Sequence, residues 1–197
     1  MISIVDYGAG NLRSVQNTLA EIGAPYQLID DAAEVAKATK LILPGVGHFG
    51  QIMRSLDAMR VRQPLLEFIR SGKPFLGICI GMQGLYEGSE EDDSVAGLGI
   101  FAGQVRRFPA DARVPHMGWN EIRRQRESPL LAQLPERPFV YFANSYHAPV
   151  QPETVAVCDY HGDFSAAVQQ ENVWGVQFHP EKSGALGLQV VRNFAAC

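Results

Sequence analysis

The sequence predicts an α/β fold: a mainly parallel central sheet with helices on both faces, plus an antiparallel strand extension. Three observations carry this. Short apolar runs alternate with helical patterns through the first half of the chain. Between residues 100 and 170, strand-like runs follow one another without long helices between them. A cysteine framed by glycines, Gly77-Ile78-Cys79-Ile80-Gly81, sits where an apolar run gives way to a helical pattern.

Taken in order, Ile2-Ser3-Ile4-Val5 is a strand. Asn11 is placed to cap a helix whose Leu12, Val15, Leu19 and Ile22 form one apolar face, with Gly23 to stop it. Tyr26-Gln27-Leu28-Ile29 is a strand, and Asp31 opens a short helix. Leu41-Ile42-Leu43-Pro44 is an apolar strand, followed by Gly45-Val46-Gly47-His48-Phe49-Gly50. Residues 64–71 form a helix closed by Gly72. Pro74-Phe75-Leu76-Gly77-Ile78 reads as a buried strand, and Gly81 through Tyr86 as the opening of a helix. Val105, Met117–Ile122, Val140–Phe142, Val155–Cys158 and Ala166–Val168 make the extension. Val173–Phe178 is a last strand, and Gly184–Ala196 a closing helix with Leu188, Val191 and Phe194 turned inward.

The chain has 197 residues, which is expected to form one domain over 1–197. Net charge of −4 and a pI near 5.7 argue against a nucleic-acid surface. No apolar run is long enough for a membrane span, and the N-terminus lacks a secretion pattern. Three widely spaced cysteines, at 79, 158 and 197, fit a reducing cytoplasm. The five carboxylates from Glu87 to Asp93 read as a solvated loop with no metal. Arg106, Arg107, Arg113, Arg123, Arg124 and Arg126 read as a charged solvent face. His48, His116, His147 and His161 have no acidic neighbour in sequence and receive no catalytic role.

The chemistry concentrates at two places 100 residues apart, Cys79 and His179-Pro180-Glu181. A sharp strand-to-helix turn strains the nucleophile's backbone, and glycines at 77 and 81 avoid the clash of flanking side chains. The helix start favours thiolate over thiol and aims the Ile80 N–H alongside the sulfur. In extended chain His179 and Glu181 project to the same side, and Pro180 holds His179 extended. Glu181 then orients the imidazole while its other nitrogen faces Cys79, which is the equipment for nucleophilic acyl transfer. The backbone N–H groups of Val46 and Ile80 are assigned as the oxyanion donors. A buried structural cysteine and a strand-end histidine are the plainer readings of the separate parts. Their combination outweighs those readings. The 45–50 run also matches Gly-x-Gly-x-x-Gly, but no following strand ends in the acidic residue a dinucleotide site needs.

With these segments in place, the chain resembles the class I glutamine amidotransferases. Within them it is similar to the glutaminase subunits of imidazole glycerol phosphate synthase. The likeness runs almost end to end. It includes Asp6-Tyr7-Gly8-Ala9-Gly10-Asn11, Pro44-Gly45-Val46-Gly47, Gly77 through Gln83, Pro115-His116-Met117-Gly118-Trp119-Asn120 and Gln177 through Ser183. The resemblance implies hydrolysis of glutamine to glutamate and ammonia through a Cys79 thioester, with His179 as base and Glu181 as its orienter. It implies that Gly47, Gln83 and the backbone at Ser145 and Tyr146 hold glutamine, with no cofactor. It implies a (β/α)8 cyclase partner that consumes the ammonia in histidine biosynthesis, docked on Asn11, Trp119, Tyr141 and Lys182. The chain ends 16 residues after Glu181, so the ammonia user is expected on another chain. Asn144 stands where the family usually has histidine.

Three other readings compete. The glutaminase subunit of pyridoxal 5′-phosphate synthase shares class and size, but the Met-Gly-Trp-Asn and Tyr-Gly-Ala-Gly-Asn segments disfavour it. A stand-alone cysteine hydrolase needs its own broad cleft. A non-catalytic module has no use for an intact triad.

Overall fold

The computed structural model describes residues 1–8 and 11–197, so Ala9 and Gly10 of the glycine-rich segment lie outside the described residues. The elements, in order, are β1 (Ile2–Val5), α1 (Leu12–Glu21), β2 (Tyr26–Ile29), α2 (Ala32–Lys37), β3 (Leu41–Leu43), α3 (Phe49–Ala58), α4 (Arg62–Arg70) and β4 (Phe75–Ile78). Next come α5 (Ile80–Gln83), β5 (Tyr86–Ser89), β6 (Phe101–Arg107), β7 (His116–Glu121), β8 (Arg123–Arg124), β9 (Phe139–Asn144) and β10 (Tyr146–His147). The chain closes with β11 (Thr154–Asp159), β12 (Asp163–Gln170), β13 (Val173–Val176) and α6 (Gly184–Ala196).

The central sheet has eight strands in the order β2-β1-β3-β4-β13-β12-β11-β8. The strands from β2 to β13 run parallel, and the remaining pairings are antiparallel. Parallel strands covered on both faces need apolar side chains in both directions. Accordingly β1, β3, β4 and β13 are buried at every position. The crossover from β1 to β2 runs one way along the sheet and those from β2 to β3 and β3 to β4 run the other. Right-handed crossovers then place α1 on one face and α2, α3 and α4 on the opposite face. The helix packing agrees: α1 lies against α6, while α2 and α3 lie against α4.

Differences from the sequence expectation are local. The extension divides. β11 and β12 continue the main sheet antiparallel, but β7 and β9 pair only with each other. Val105 lies in β6, which pairs parallel with β5 and antiparallel with β10. The helix expected to run on through Tyr86 is a single turn, because Tyr86 is drawn into β5 opposite Phe101. The glycine-rich segment after β3 leads straight into α3, which glycine content had masked. His48 caps it, its Nδ1 accepting from the Gly50 N–H. Asn11 occupies the N-cap of α1, but only its backbone carbonyl serves the helix, accepting from Ser14 and Val15. Asp31 does cap α2, accepting from the Glu34 N–H at 2.8 Å.

Candidate active site

Ligands of open parallel sheets bind beyond the carboxyl ends of the strands. Val46 follows β3, Cys79 follows β4 and His179 follows β13, and these three strands are adjacent. All three residues line one cleft of about 280 Å³. A larger hollow of about 380 Å³ lies between Met1, Lys40 and Arg192. No cysteine, histidine or carboxylate lines it, so the chemistry singles out the smaller cleft.

Cys79 has φ 52° and ψ −110°, a conformation unfavourable for a side-chain-bearing residue, costing on the order of 1–3 kcal/mol. The surroundings fix it. Its N–H donates to the Val176 carbonyl at 2.7 Å, and its carbonyl accepts from the Gln83 N–H at 3.0 Å. The flanking glycines are required by close approach. A Cβ on Gly77 would lie 2.6 Å from the Gly81 carbonyl oxygen, and one on Gly81 would overlap the Leu43 carbonyl oxygen.

His179 is extended and buried, and its N–H donates to the Tyr141 carbonyl at 2.8 Å. Its Nδ1 lies 2.8 Å from Glu181 Oε1, with the two side chains only 2% and 3% exposed. The pairing was expected, but its cause differs. Pro180–Lys182 forms a 3₁₀ turn, and that turn, not extended chain, swings Glu181 back to the ring. Burial alone would push the imidazole's pKa down. The neighbouring Cys79 sulfur and the Glu181 carboxylate more than offset this and raise it well above its ordinary value. The site therefore favours an imidazolium beside the sulfur. Ser183, given no role from sequence, clamps this arrangement. Its hydroxyl donates to the His179 carbonyl at 2.7 Å and accepts from the Tyr141 N–H at 3.0 Å.

Gly47, Gln83, Ser145, Tyr146 and Ile80 also line the cleft. Gln83 Nε2 donates to the Tyr146 carbonyl at 3.0 Å and to Gln177 Oε1 at 2.9 Å. Both its protons are occupied, and its buried Oε1 has no partner among the described residues. Gln83 thus offers an acceptor to a ligand. Asn144 Nδ2 donates to the Tyr146 carbonyl at 2.9 Å, so this side chain braces the Ser145–Tyr146 backbone. The Val46 N–H lies beside the buried Tyr7 phenol oxygen without reaching full hydrogen-bond geometry, and burial pushes that phenol up to about 12.

The acidic run is not the freely solvated loop the sequence suggested. Glu91 lines the cleft and accepts from the Phe49 N–H at 2.7 Å, bracing the start of α3. Glu87 and Glu90 accept from the Gly103 and Arg107 N–H groups. Asp92 pairs with Arg54, and its hydrogen bonds from Ser94 and Arg54 hold the carboxyl down at about 2. The arginines are likewise engaged in part. Arg124 donates to the Leu131 and Leu134 carbonyls, Arg126 to those of Glu153 and Gln169, and Arg123 pairs with Asp163.

Beside the cleft, β7 and β9 present an apolar surface. Trp119 lies opposite Tyr141 in the strand register, their rings edge to face at 6.2 Å, and Lys182 Nζ sits 5.7 Å from the Tyr141 ring centre. Trp119 is 55% exposed, and Met117 and Phe139, given no interface role from the sequence, are 65% and 54% exposed. Asn11 is half-buried at the start of α1.

Comparison with known proteins places the whole chain in a family. The family profile described as glutamine amidotransferase class-I matches residues 3–196. The chain is 44% identical over 196 residues to the imidazole glycerol phosphate synthase subunit HisH of Desulfitobacterium hafniense (strain DSM 10664 / DCB-2). That alignment covers 98% of this chain and 93% of the relative. It is 47% identical to the protein of the same name from Methanosarcina barkeri, covering 98% and 96%. A solved glutamine amidotransferase matches the whole of both chains with a TM-score of 0.79 at 18% identity. PurLQS from Thermotoga maritima gives 0.72 at 20% identity, covering 98% of this chain and 96% of that one. These two likenesses show the fold.

Proposed function

Since the chain belongs to the class-I glutamine amidotransferase family, we propose that it is the glutaminase subunit of an imidazole glycerol phosphate synthase. The observation that carries the reading is the convergence of Cys79, His179 and Glu181 at one cleft, with a 2.8 Å bond from the imidazole to the carboxylate. The relatives at 44% and 47% identity support the choice of synthase.

The steps follow from the groups in place. Glutamine enters with its amide over Cys79. Gly47 and the backbone at Ser145 and Tyr146 cradle it, Gln83 Oε1 accepts an N–H, and the Glu91 carboxylate receives the α-ammonium group. The thiol proton passes first to His179, and the sulfur then attacks the amide carbon as the thiolate. The oxyanion is met by the Ile80 N–H, which as the first in α5 has no partner within the helix, and by the Val46 N–H. The Val46 peptide must turn from the Tyr7 phenol to serve, and the adjoining glycines allow this. The free subunit is therefore expected to be slow until a partner sets that peptide. His179 then gives its proton to the departing nitrogen, releasing ammonia and leaving the γ-glutamyl thioester. Water, deprotonated by His179, cleaves it to glutamate. Glu181 holds the ring through both transfers and compensates its positive charge.

Free ammonia at neutral pH is mostly ammonium, which has no lone pair to attack with. A sheltered transfer to a (β/α)8 cyclase subunit answers this. The exposed Met117, Trp119 and Phe139, with Tyr141, Lys182 and Asn11, form the docking face in this reading. Among the described residues no helix is long and apolar enough to cross a membrane, and the three cysteines are free, which supports a cytoplasmic setting.

The test is a coupled assay of this chain with the cyclase subunit, its phosphoribosyl substrate and glutamine, measuring glutamate and imidazole glycerol phosphate together. Cys79→Ser should abolish synthesis from glutamine and leave synthesis from added ammonia. Equal survival of both would remove Cys79 from the mechanism.

A further inference from the structure

Gln177 is fully buried between β13 and His179, and nothing in the triad accounts for a polar side chain there. Its Nε2 donates to Cys79 Sγ at 3.6 Å, a normal reach for a hydrogen bond to sulfur. Its Oε1 accepts from Gln83 Nε2 at 2.9 Å, and Gln83 Nε2 also donates to the Tyr146 carbonyl at 3.0 Å.

The polarity of this relay is determined from one end. The Tyr146 carbonyl only accepts, so the Gln83 amide must present its nitrogen to it. That nitrogen also faces the Gln177 side chain, which must answer with its oxygen. The Gln177 nitrogen is then left facing the sulfur. Turning either amide over would set two acceptors or two donors against each other in a buried place, at a substantial cost.

We propose that Gln177 is a further catalytic residue of the glutaminase reaction, its amide N–H donating to the Cys79 sulfur and stabilising the thiolate that attacks glutamine. Gln83 acts at one remove, as the positioning residue that keeps the Gln177 donor aimed at sulfur. The relay also joins the backbone that cradles the substrate, at Tyr146, to the nucleophile. This rests on the glutaminase reading and adds a thiolate donor to it. A hydrogen bond to an ionised group contributes more than one between neutral groups, and its loss corresponds to about a ten- to hundredfold change.

The test uses Gln177→Met, which keeps length and apolar volume but has no donor, and Gln177→Glu. The glutamate keeps the acceptor for Gln83 and turns a carboxylate oxygen towards the sulfur. Both are assembled with the cyclase subunit and checked by thermal unfolding. Iodoacetamide alkylation of Cys79 is followed by mass spectrometry across pH, separately from Cys158 and Cys197. The alkylation midpoint should rise by about one to two pH units in Gln177→Met and further in Gln177→Glu. Glutaminase kcat should fall about ten- to hundredfold with KM little changed. A folded Gln177→Met with the wild-type midpoint and kcat within about twofold overturns the proposal. Should Gln177→Met not fold, Gln177→Glu decides by the same two readouts. Cys79→Ser keeps the outcomes apart: its loss of glutamine-dependent synthesis sustains the glutaminase reading whatever Gln177 does.

Discussion

Acid should destabilise this fold through His116, and the size of the effect follows from its surroundings. The ring is stacked between Tyr160, at 4.0 Å between centres, and Phe142, at 4.9 Å, with the edges of Phe108 and Phe164 around it. Its buried Nδ1 has no hydrogen-bond partner among the described residues, and Nε2 is 3.4 Å from Asn120 Nδ2. Burial therefore penalises the charged ring and pushes its pKa from 6.5 down to about 4. Between these values the unfolded chain binds a proton that the folded chain refuses, so stability rises with pH through this window and is lost as pH falls from about 6.5 towards 4. Linkage between the two pKa values gives a loss of about 2 kcal/mol on going from about pH 7.5 to about pH 5. Urea unfolding of wild type and His116→Phe at both pH values isolates the effect, since phenylalanine keeps the stack and cannot titrate. The wild-type midpoint should drop by roughly 1 M more than the variant's. Parallel drops in the two proteins would refute the attribution to His116. His147, lowered chiefly by its own burial, contributes equally to both and cancels in the comparison.

Two further outcomes follow. Gly81→Ala drives a Cβ into the Leu43 carbonyl oxygen, a backbone atom that cannot rotate away. Its Tm should fall by about 4–8 °C, corresponding to an overpacking cost of about 2 kcal/mol; an unchanged Tm would show that the elbow and β3 are not in contact. Glu91→Gln keeps an acceptor for the Phe49 N–H but removes the charge that the proposed mechanism sets against the substrate ammonium. KM for glutamine should rise about tenfold with kcat nearly unchanged, read from initial-rate glutamate release in the assembled enzyme, and an unchanged KM would remove Glu91 from substrate binding.

What the sequence made legible was local. Gly77, which makes room for the Gly81 backbone, and the proline after His179 act on neighbouring backbone, so their consequences can be read within a few residues, whereas Gly81 answers to Leu43 on β3. The strands of the parallel sheet were equally plain, because burial on both faces leaves continuous apolar runs. What stayed hidden depends on partners distant in sequence. Glu91 looked like one of several solvated acids until α3 brought the Phe49 N–H to it from 42 positions away. Ser183 takes its role from Tyr141, and Gln177 from Cys79, 98 residues earlier. Tyr86 follows an apolar run too short to tell helix from strand, and only pairing with Phe101 decides it. Asn11 shows the converse, a good capping residue whose side chain makes no cap.

The register of the sheet explains why such distant residues meet. β13 pairs with β4 so that Val173 lies beside Phe75 and Val176 beside Ile78. Residues 177 and 79 therefore leave the sheet at the same level, and the Cys79 N–H reaches the Val176 carbonyl. A slip of one residue would put a side chain where Gly77 and Gly175 leave room for Gly81 and Met82, which close packing forbids. The packing of the core thus also sets the spacing between sulfur, amide and imidazole. β9 adds the last constraint from the other side. Its Tyr141 carbonyl holds the His179 N–H, while the Tyr141 ring meets the exposed Trp119. The strand pair that carries the exposed Met117, Trp119 and Phe139 is therefore the pair that fixes the His179 backbone.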